Sequence, residues 1–295
     1  MDLLDGKKTS LDIQNELSEK VKLLVANGSN QPHLAAVLVG DDGASRTYVN
    51  AKVKACERIG FKSTLHHLSS ETSEIELLKV IKKLNDDDSV DGFIVQLPLP
   101  DYIDDHKITL AISPKKDVDG FHPENLGKMA LGLPTFLPAT PNGVIELLKR
   151  YEIPTEGKNT VVIGRSSIVG TPMSILMSRK SNPGNSTVTL AHSRTNNLEK
   201  ICKQADILIV AIGIPEFVTS NMVKPNAVVI DVGIHRVEDT SKKNGFRLIG
   251  DVNFSEVSQK CSYITPVPGG VGPMTIASLL TNTLQSAKKV IYSRT

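Results

Sequence analysis

The chain has 295 residues, 40% of them hydrophobic and 22% charged, and a formal net charge of +2. These values are typical of a globular protein and exclude a disordered, collagen-like or disulfide-framework protein. So small a net charge gives no indication of nucleic-acid or anionic-membrane binding. Three well-separated cysteines, the lack of a membrane-length apolar run and an N-terminus without a targeting pattern predict a soluble, cytoplasmic protein.

The first part of the chain alternates predicted helices with predicted strands. Amphipathic helices are predicted at residues 11–26, 47–59 and 74–84, and strands at residues 33–39, 61–68 and 90–95. Strands that are separated by helices form right-handed βαβ units. This alternation therefore predicts an α/β domain with a parallel sheet.

A second helix and strand series begins near residue 141. Its predicted helices cover residues 141–150, 171–177 and 198–204, and its strands cover residues 159–163, 186–191, 206–211 and 227–232. A Gly- and Pro-rich segment at residues 117–141 is the expected hinge. We predict an N-terminal domain at residues 1–140, joined by the C-terminal helix within 273–295, and a Rossmann-like domain at residues 141–272.

The turn after the strand at residues 159–163 favours a nucleotide site. It starts with Gly164, Arg165 and Ser166 and leads into a helix. A parallel strand that feeds a helix directs backbone N–H groups and the positive helix end at a pyrophosphate. The spacing differs from GxGxxG, so an ordinary βα turn remains the alternative.

The end of the next strand favours NADP over NAD. An NAD site typically has Asp or Glu there, whereas this strand ends in His192, Ser193 and Arg194. A cation and hydroxyl groups suit an additional phosphate, and Arg165 supplies a second cation. The alternative is that Arg194 is a solvated loop charge.

A candidate acid or base lies on the helix at residues 47–59. Tyr48 and Lys52 are four residues apart and share one helix face. A helix lysine is usually a surface charge, but Gln96 follows a buried strand at the sheet edge where ligands bind. A desolvated Lys52 beside this amide has a lowered pKa, which suits acid–base chemistry.

Two further segments have the composition of ligand contacts. Asp117 and Asp119 precede a glycine, and a carboxylate there suits a planar ligand with paired N–H donors, although an ordinary Asp-Gly turn is the alternative. The Pro- and Gly-rich loop at residues 265–275 favours close approach to a ligand over a purely structural role. The histidine spacing does not predict a metal site.

Together these motifs closely resemble the bifunctional methylenetetrahydrofolate dehydrogenase/cyclohydrolase family. The matching motifs follow in order over nearly the whole chain: Ser45-x-x-Tyr48-Val49-x-x-Lys52-x-Lys54-Ala55, Asp91-Gly92-x-x-Val95-Gln96-Leu97-Pro98-Leu99-Pro100, Lys116-Asp117-Val118-Asp119-Gly120, Gly164-Arg165-Ser166-x-x-Val169-Gly170-x-Pro172 and Pro266-Val267-Pro268-Gly269-Gly270-Val271-Gly272-Pro273-Met274-Thr275. The resemblance implies two α/β domains around a cleft, NADP on the second domain and a homodimer. It does not exclude NAD, which some members of the family use.

The resemblance also implies roles for individual residues. It assigns acid–base work to Lys52, support of that lysine to Gln96, ring contact to Tyr48 and pterin anchoring to Asp119. The implied cofactor contacts are Gly164, Arg165, Ser166, Ser193 and Ile234, beside Arg194 from the argument above. The implied folate contacts are Tyr48, Val49, Asn50, Ala51, Lys52, Val95, Gln96, Leu97, Asp119, Pro268, Gly269, Gly270, Val271 and Gly272.

This chemistry explains why one titratable side chain is enough. Oxidation of the methylene carbon releases hydride and no proton, so it needs alignment more than a base. Hydrolysis of the resulting methenyl cation needs proton movement, for which Lys52 is the candidate. The alternatives are an NADP oxidoreductase of the shikimate dehydrogenase type and a nucleotide-sensing module without turnover.

Overall fold

The computed structural model describes residues 1–242 and 245–292. The strands are β1 Asp2–Leu3, β2 His33–Val39, β3 Lys62–Leu68, β4 Gly92–Val95, β5 Asn159–Ile163, β6 Thr187–Ala191, β7 Ile207–Val210, β8 Val228–Asp231, β9 His235–Glu238, β10 Phe246–Ile249 and β11 Tyr263–Ile264. The helices are α1 Gly6–Ala26, α2 Gly43–Ile59, α3 Glu74–Asp86, α4 Asp105–Ala111, α5 Pro123–Ala130, α6 Ala139–Arg150, α7 Gly170–Ser178, α8 Leu198–Cys202, α9 Phe254–Val257 and α10 Val271–Ala287, with a 3₁₀ turn at Ser220–Met222.

The chain divides into two units. The first unit contains residues 1–10 and 140–275, and the second contains residues 11–139 and the residues from 276 onward. The predicted α/β fold with parallel sheets is confirmed, because all strand pairs of the larger sheets in both units are parallel.

The first unit contains a six-stranded sheet in the order β1-β11-β8-β7-β5-β6. Its central strands are fully buried, and residues such as Val210 and Val229 lie in the apolar core. The first ten residues, which the sequence places in the N-terminal domain, belong to this unit. They do so because Asp2 and Leu3 pair with Tyr263 and Ile264.

The second unit contains a three-stranded sheet in the order β3-β2-β4. All seven residues of β2 are buried, as expected for the central strand of a covered parallel sheet. Leu77 and Ile81 of α3 pack with Phe93 of β4 in the core of this unit. The carboxyl ends of β2 and β4 lie at the same sheet edge, where Val37 pairs with Val95.

Helix α2 begins four residues before its predicted start. The side chain of Asp42 accepts a hydrogen bond from the backbone N–H of Ser45 at 2.7 Å, which satisfies an otherwise unpaired donor of the first turn. Gly60 ends the helix with φ 83°, in the left-handed conformation expected from the sequence. The helix that carries Tyr48 and Lys52 is therefore fixed at both ends.

Most of the expected hinge at residues 117–141 is folded into the second unit. It contains α5 and a buried polar network in which Asn125 donates to Asp117 at 2.9 Å and accepts from the Thr135 hydroxyl at 2.7 Å. Gly and Pro residues in this segment indicated a linker, but the network and the buried Phe136 give it a packed structure.

Candidate active site and cofactor-binding turn

Lys52 of α2 is buried and points at the end of β4. Its side chain is in a residue only 7% exposed, and its Nζ donates a hydrogen bond to Oε1 of Gln96 at 3.1 Å. Isolated ammonium groups are rarely buried because desolvation of the charge is costly. The alternative of a solvated surface lysine is therefore wrong.

Gln96 is held so that its amide oxygen faces Lys52. Its backbone N–H donates to the carbonyl of Val37 at 2.9 Å, which continues the β2–β4 pairing by one residue. Its Nε2 donates to the carbonyl of Leu97 at 2.7 Å. Because the amide nitrogen is engaged there, the oxygen is left to accept from the lysine.

The two carboxylates of the Asp-Gly turn have different surroundings. Asp117 is 3% exposed and accepts hydrogen bonds from the backbone N–H groups of Gly120 and His122 and from the amide of Asn125. Asp119 lies two residues further on, and within residues 1–242 and 245–292 its carboxylate accepts no hydrogen bond. Asp117 therefore holds the turn, whereas the acceptors of the Asp119 carboxylate are not used by the described residues.

Burial changes the acid–base behaviour of this cluster. Desolvation lowers the pKa of Lys52 below its usual value, although the negative charge of Asp119 opposes the change. Desolvation raises the pKa of Asp119, and Lys52 opposes that change in turn. Desolvation also raises the pKa of Tyr48. The lowered pKa increases the neutral-amine fraction of Lys52, which is the form that accepts a proton.

A small cavity lies beside the cluster, and its walls include Val95, Leu97, Asp119 and Phe121. Of the other predicted folate contacts in the second unit, Val49 is fully buried, Ala51 is half-buried and Asn50 is exposed. The structure thus brings Lys52, Gln96 and Asp119 together at one end of β4 and places Tyr48 one turn from Lys52. The roles of these residues toward folate stay predictions.

The predicted folate contacts at residues 268–272 lie in the first unit. The carbonyl of Gly269 accepts from the backbone N–H of Lys7 at 2.8 Å. A Cβ atom on Gly6 would lie 1.8 Å from the carbonyl oxygen of Gly270, and one on Gly270 would lie 2.6 Å from the carbonyl oxygen of Pro266, so neither glycine can carry a side chain without backbone movement. This loop is close-packed against the N-terminal segment and leads directly into α10.

The turn between β5 and α7 is built from two glycines in contact. Gly164 has φ 115°, and a Cβ atom there would lie 2.0 Å from the Ala211 carbonyl oxygen. A Cβ atom on Gly170 would lie 1.9 Å from the Gly164 carbonyl oxygen. The Ser166 hydroxyl accepts from the N–H groups of Val169 and Gly170 at 3.2 and 3.4 Å. This packing presents the N-terminus of α7 at the sheet edge.

The geometry of this turn fits a pyrophosphate. Within the described part of the chain, the backbone N–H groups of residues 165–168 donate to no other protein group, and these four residues are exposed just before the helix N-terminus. Unpaired N–H donors and the positive helix end together form an anion-binding site. The two glycines allow the close backbone packing that holds these N–H groups at the sheet edge.

The remaining predicted cofactor residues are exposed on neighbouring loops. Ser193 and Arg194 follow β6, and the backbone N–H of Arg194 donates to the His192 ring at 3.2 Å. Ile234 follows β8 and is 42% exposed. Because β5, β6 and β8 are parallel, these residues lie at the same carboxyl edge of the sheet as the Gly164 turn.

Two buried aspartates near this edge were not predicted from the sequence. Asp231 ends β8, and Asp251 follows β10; they are 4% and 0% exposed. Desolvation raises the pKa of Asp231 to about 7. His235 contacts Asp251 through Nε2 at 2.7 Å. Spacing along the chain does not reveal this cluster, since about twenty residues separate the two carboxylates; only the position of Asp231 at a strand end is a signal.

Two classes of feature are absent from the described ranges. Residues 1–242 and 245–292 contain no group of three or more His, Cys, Asp or Glu side chains arranged to hold a metal ion. In the same ranges, every helix is too short or too polar to cross a lipid bilayer.

The chain matches both domain models of one protein family. The catalytic-domain model of tetrahydrofolate dehydrogenase/cyclohydrolase matches residues 4–119, and the NAD(P)-binding-domain model of the same family matches residues 138–291. A protein from Cytophaga hutchinsonii named bifunctional protein FolD is 65% identical over 287 residues, which is 97% of this chain and 99% of that protein.

Solved structures agree with these matches. The bifunctional FolD methylenetetrahydrofolate dehydrogenase/cyclohydrolase of Campylobacter jejuni is 52% identical with a TM-score of 0.91, covering 98% of this chain and 99% of that one. The Trypanosoma brucei enzyme, solved with NADP and an inhibitor, is 37% identical with a TM-score of 0.91 over 97% of both chains. A shikimate 5-dehydrogenase of Thermus thermophilus is 13% identical with a TM-score of 0.51 over 87% of this chain and 99% of that one, a likeness of fold alone.

Proposed function

The chain belongs to the tetrahydrofolate dehydrogenase/cyclohydrolase family, and we propose that it carries out both reactions of the family. It oxidises 5,10-methylenetetrahydrofolate to 5,10-methenyltetrahydrofolate with NADP and hydrolyses that product to 10-formyltetrahydrofolate. The observation that carries this proposal is the buried Lys52, bonded to Gln96 and close enough to Asp119 for their charges to affect each other's pKa.

The second unit supplies the groups for folate. The Asp119 carboxylate, which has no hydrogen-bond donor among the described residues, accepts from the paired N–H groups of the pterin ring. The Tyr48 ring, half-buried beside Lys52, contacts the pterin face. Folate contacts extend over residues 48–52, 95–97 and 268–272. The second unit thus carries most of the folate contacts, and the first unit carries NADP together with the folate contacts at residues 268–272.

Lys52 moves the proton in the hydrolytic step. Water adds to the electron-poor methenyl carbon, and the neutral amine of Lys52 accepts the proton that this water loses. The ammonium then returns that proton to the ring nitrogen as the carbon–nitrogen bond breaks, while the added hydroxyl group loses its own proton to solvent and becomes the formyl carbonyl. Gln96 keeps Nζ at the end of β4 through both transfers, because its own amide is fixed on Leu97.

The first unit holds NADP. Gly164 and the free N–H groups of residues 165–168 bind the pyrophosphate, while Arg165, Ser193 and Arg194 bind the adenosine ribose and its phosphate. Ile234, exposed after β8, contacts the same cofactor. Bound NADP supplies a hydride acceptor, and the residues of this unit contribute binding and alignment.

The proposed cellular setting follows from the cysteines and from the family resemblance. Free cysteines suit a reducing compartment, which supports a cytoplasmic enzyme. The homodimer is implied by the family resemblance. The formyl product of the enzyme is a one-carbon donor for purine biosynthesis.

An absorbance assay tests the proposed function. The purified protein is mixed with methylenetetrahydrofolate and either NADP or NAD, and reduced cofactor and methenyl product are followed separately. We expect turnover with NADP, and decay of added methenyltetrahydrofolate without cofactor. Shikimate in place of folate is the matched substrate control. Reduction of NADP by shikimate, or cofactor binding without folate turnover, would contradict the proposal.

A further inference from the structure

The buried acidic pair of the first unit joins loops that follow adjacent strands. Oδ2 of Asp251 accepts hydrogen bonds from the backbone N–H groups of Ile212 and Gly213, at 2.7 and 3.0 Å, in the loop after β7. Oδ1 of the same carboxylate contacts Nε2 of His235 at 2.7 Å, just beyond the loop after β8. One side chain therefore connects residues 211–214 to residues 232–235.

Asp231 fixes the backbone that carries this clamp. Its carboxylate accepts from the N–H groups of Gly233 at 3.0 Å, Asp251 at 2.9 Å and Val252 at 3.0 Å. The packing leaves no room for adjustment: a Cβ atom on Gly233 would lie 2.3 Å from Oδ1 of Asp251, and one on Gly250 would lie 1.8 Å from Oδ2 of Asp231.

Burying a carboxylate costs free energy, so two buried carboxylates whose hydrogen bonds are satisfied at one place indicate a specific role. Neither side chain is exposed enough to contact a ligand directly. The loops that they hold do carry exposed apolar side chains, since Ile214 is 49% and Ile234 is 42% exposed. Both loops lie at the carboxyl edge of a parallel sheet, where dinucleotides bind.

The strand order indicates which half of the cofactor these loops meet. The sheet order is β8-β7-β5-β6, with the pyrophosphate turn after β5 and Arg194 after β6. A dinucleotide crosses the edge with its pyrophosphate at the central turn, so its two halves extend in opposite directions. If the adenosine phosphate lies on the β6 side, the nicotinamide half lies on the β7 and β8 side.

We propose that Asp251 is a positioning residue that holds residues 211–214 and 232–235 in the conformation that binds the nicotinamide-bearing half of NADP. The proposal rests on the NADP binding proposed above. Asp251 does not touch the cofactor; it sets the backbone and the exposed isoleucines that do.

Binding measurements with two ligands test this role. Asp251→Asn keeps an oxygen for the Ile212 and Gly213 N–H groups but removes the negative charge of the acceptor, and hydrogen bonds to a charged acceptor are about twice as strong as neutral ones, so the clamp is weakened. Titration calorimetry compares NADP with adenosine 2′,5′-bisphosphate, which lacks the pyrophosphate and nicotinamide. We expect the Kd of NADP to rise about tenfold or more and the Kd of the bisphosphate to change less than about twofold. Circular dichroism checks that the variant is folded.

A matched control lies at the opposite end of β7. Asp206 is also a carboxylate that accepts a backbone N–H, from Asn159 at 2.9 Å, but at the amino edge of the sheet. Asp206→Asn should leave the affinity for both ligands unchanged. If Asp251→Asn binds NADP as the wild type does, or loses affinity for both ligands equally, the proposal is wrong. Wild-type protein that binds neither ligand would instead contradict the proposed cofactor itself.

His235 provides a second pair of variants should Asp251→Asn fail to fold. His235→Leu removes the contact with Asp251, whereas His235→Gln keeps an N–H donor near the position of Nε2. We expect His235→Leu to weaken the binding of NADP but not of the bisphosphate. His235→Gln should keep most of the wild-type affinity for NADP. Equal affinities in the two variants would overturn the clamp.

Discussion

The candidate active site in the second unit and the cofactor turn in the first unit differ in what forms them, side chains in one and backbone in the other. The site in the second unit depends on side chains: a buried lysine, a fixed amide and a carboxylate without a donor among the described residues. The cofactor turn depends on backbone, with glycines in contact and free N–H groups at a helix end. A conservative side-chain change should therefore abolish function in one region and only adjust it in the other.

Lys52→Met should give the largest effect. Methionine keeps much of the aliphatic stem but removes the only buried amine of the cluster. Cyclohydrolase turnover should fall about 10²–10⁴-fold, the usual contribution of a general acid–base group. Dehydrogenase turnover should fall less, because hydride transfer needs alignment and not proton movement. Decay of methenyltetrahydrofolate without cofactor measures the first rate, and methenyl formation with NADP measures the second.

Lys54→Met is the matched control for this variant. Lys54 is exposed on the same helix, so both rates should match those of the wild type. Hydrolysis by Lys52→Met at the wild-type enzymatic rate would show that Lys52 is not the catalytic group, and the comparison between the two regions would lose its basis.

Replacing both Arg165 and Arg194 with alanine should have the next largest effect. These side chains are exposed beside the expected adenosine ribose, and each charge-assisted phosphate contact contributes about tenfold in affinity. The affinity for NADP should therefore fall much more than the affinity for NAD in steady-state titrations, because both cofactors keep the backbone contacts of the turn. Lys200→Ala, another exposed cation of this unit, is the control. Equal losses of affinity for NADP and NAD would mean that the arginines do not contact the additional phosphate.

Asp119→Asn should weaken folate binding by about 1–3 kcal/mol, because an amide donor replaces an acceptor opposite the pterin N–H groups. Both reactions should be affected together. The substitution should also change the pH dependence of hydrolysis. Asp119 raises the pKa of Lys52, so its removal lowers that pKa further. Since the neutral amine is the base, the rise in rate with pH should move to lower pH.

Rate–pH profiles of Asp119→Asn and the wild type, with circular dichroism to check folding, measure this shift. Asp101→Asn changes an exposed carboxylate of the same unit and should leave the profile in place. Unchanged folate affinity in Asp119→Asn would make Asp119 a turn residue only. A profile displaced to higher pH would contradict the charge interaction with Lys52.

Ser166→Ala should give the smallest effect. Its hydroxyl accepts from two backbone N–H groups at the start of α7, and loss of an ordinary hydrogen bond costs about 0.5–1.5 kcal/mol of stability. The thermal midpoint should fall slightly, and NADP affinity should fall less than about tenfold because the backbone donors remain. Ser167→Ala, an exposed neighbour, is the control. A loss of NADP binding comparable to the hydrolytic defect of Lys52→Met would show that this turn also depends on a side chain.

The sequence is sufficient for the long elements and for the motif positions. Strands β2 and β5 have their predicted bounds, because buried parallel strands are continuous apolar runs between turn residues. Strands β1 and β11 are two residues long, too short for any periodicity, and their pairing joins positions about 260 residues apart. Such pairing is set by tertiary packing, which local patterns do not contain.

The candidate site shows the same division. The spacing of Tyr48 and Lys52 and the position of Gln96 follow from the regular periods of helix and strand. The difference between Asp117 and Asp119 does not, because it depends on α5 and Asn125, in a segment whose glycines and prolines indicated a hinge. The roles of Asp231 and Asp251 depend on three loops that meet only after the sheet has formed.

The division of the chain into residues 1–10 with 140–275, and 11–139 with the residues from 276 onward, has a consequence for biosynthesis. A ribosome releases the chain from its N-terminus, so β1 emerges long before its partner β11. Neither unit has its full set of residues until the last part of the chain has been made, and contacts this distant in sequence form slowly. Nascent chains halted before residue 263 should therefore expose an unpaired edge of β8, and they are the species that chaperones must protect.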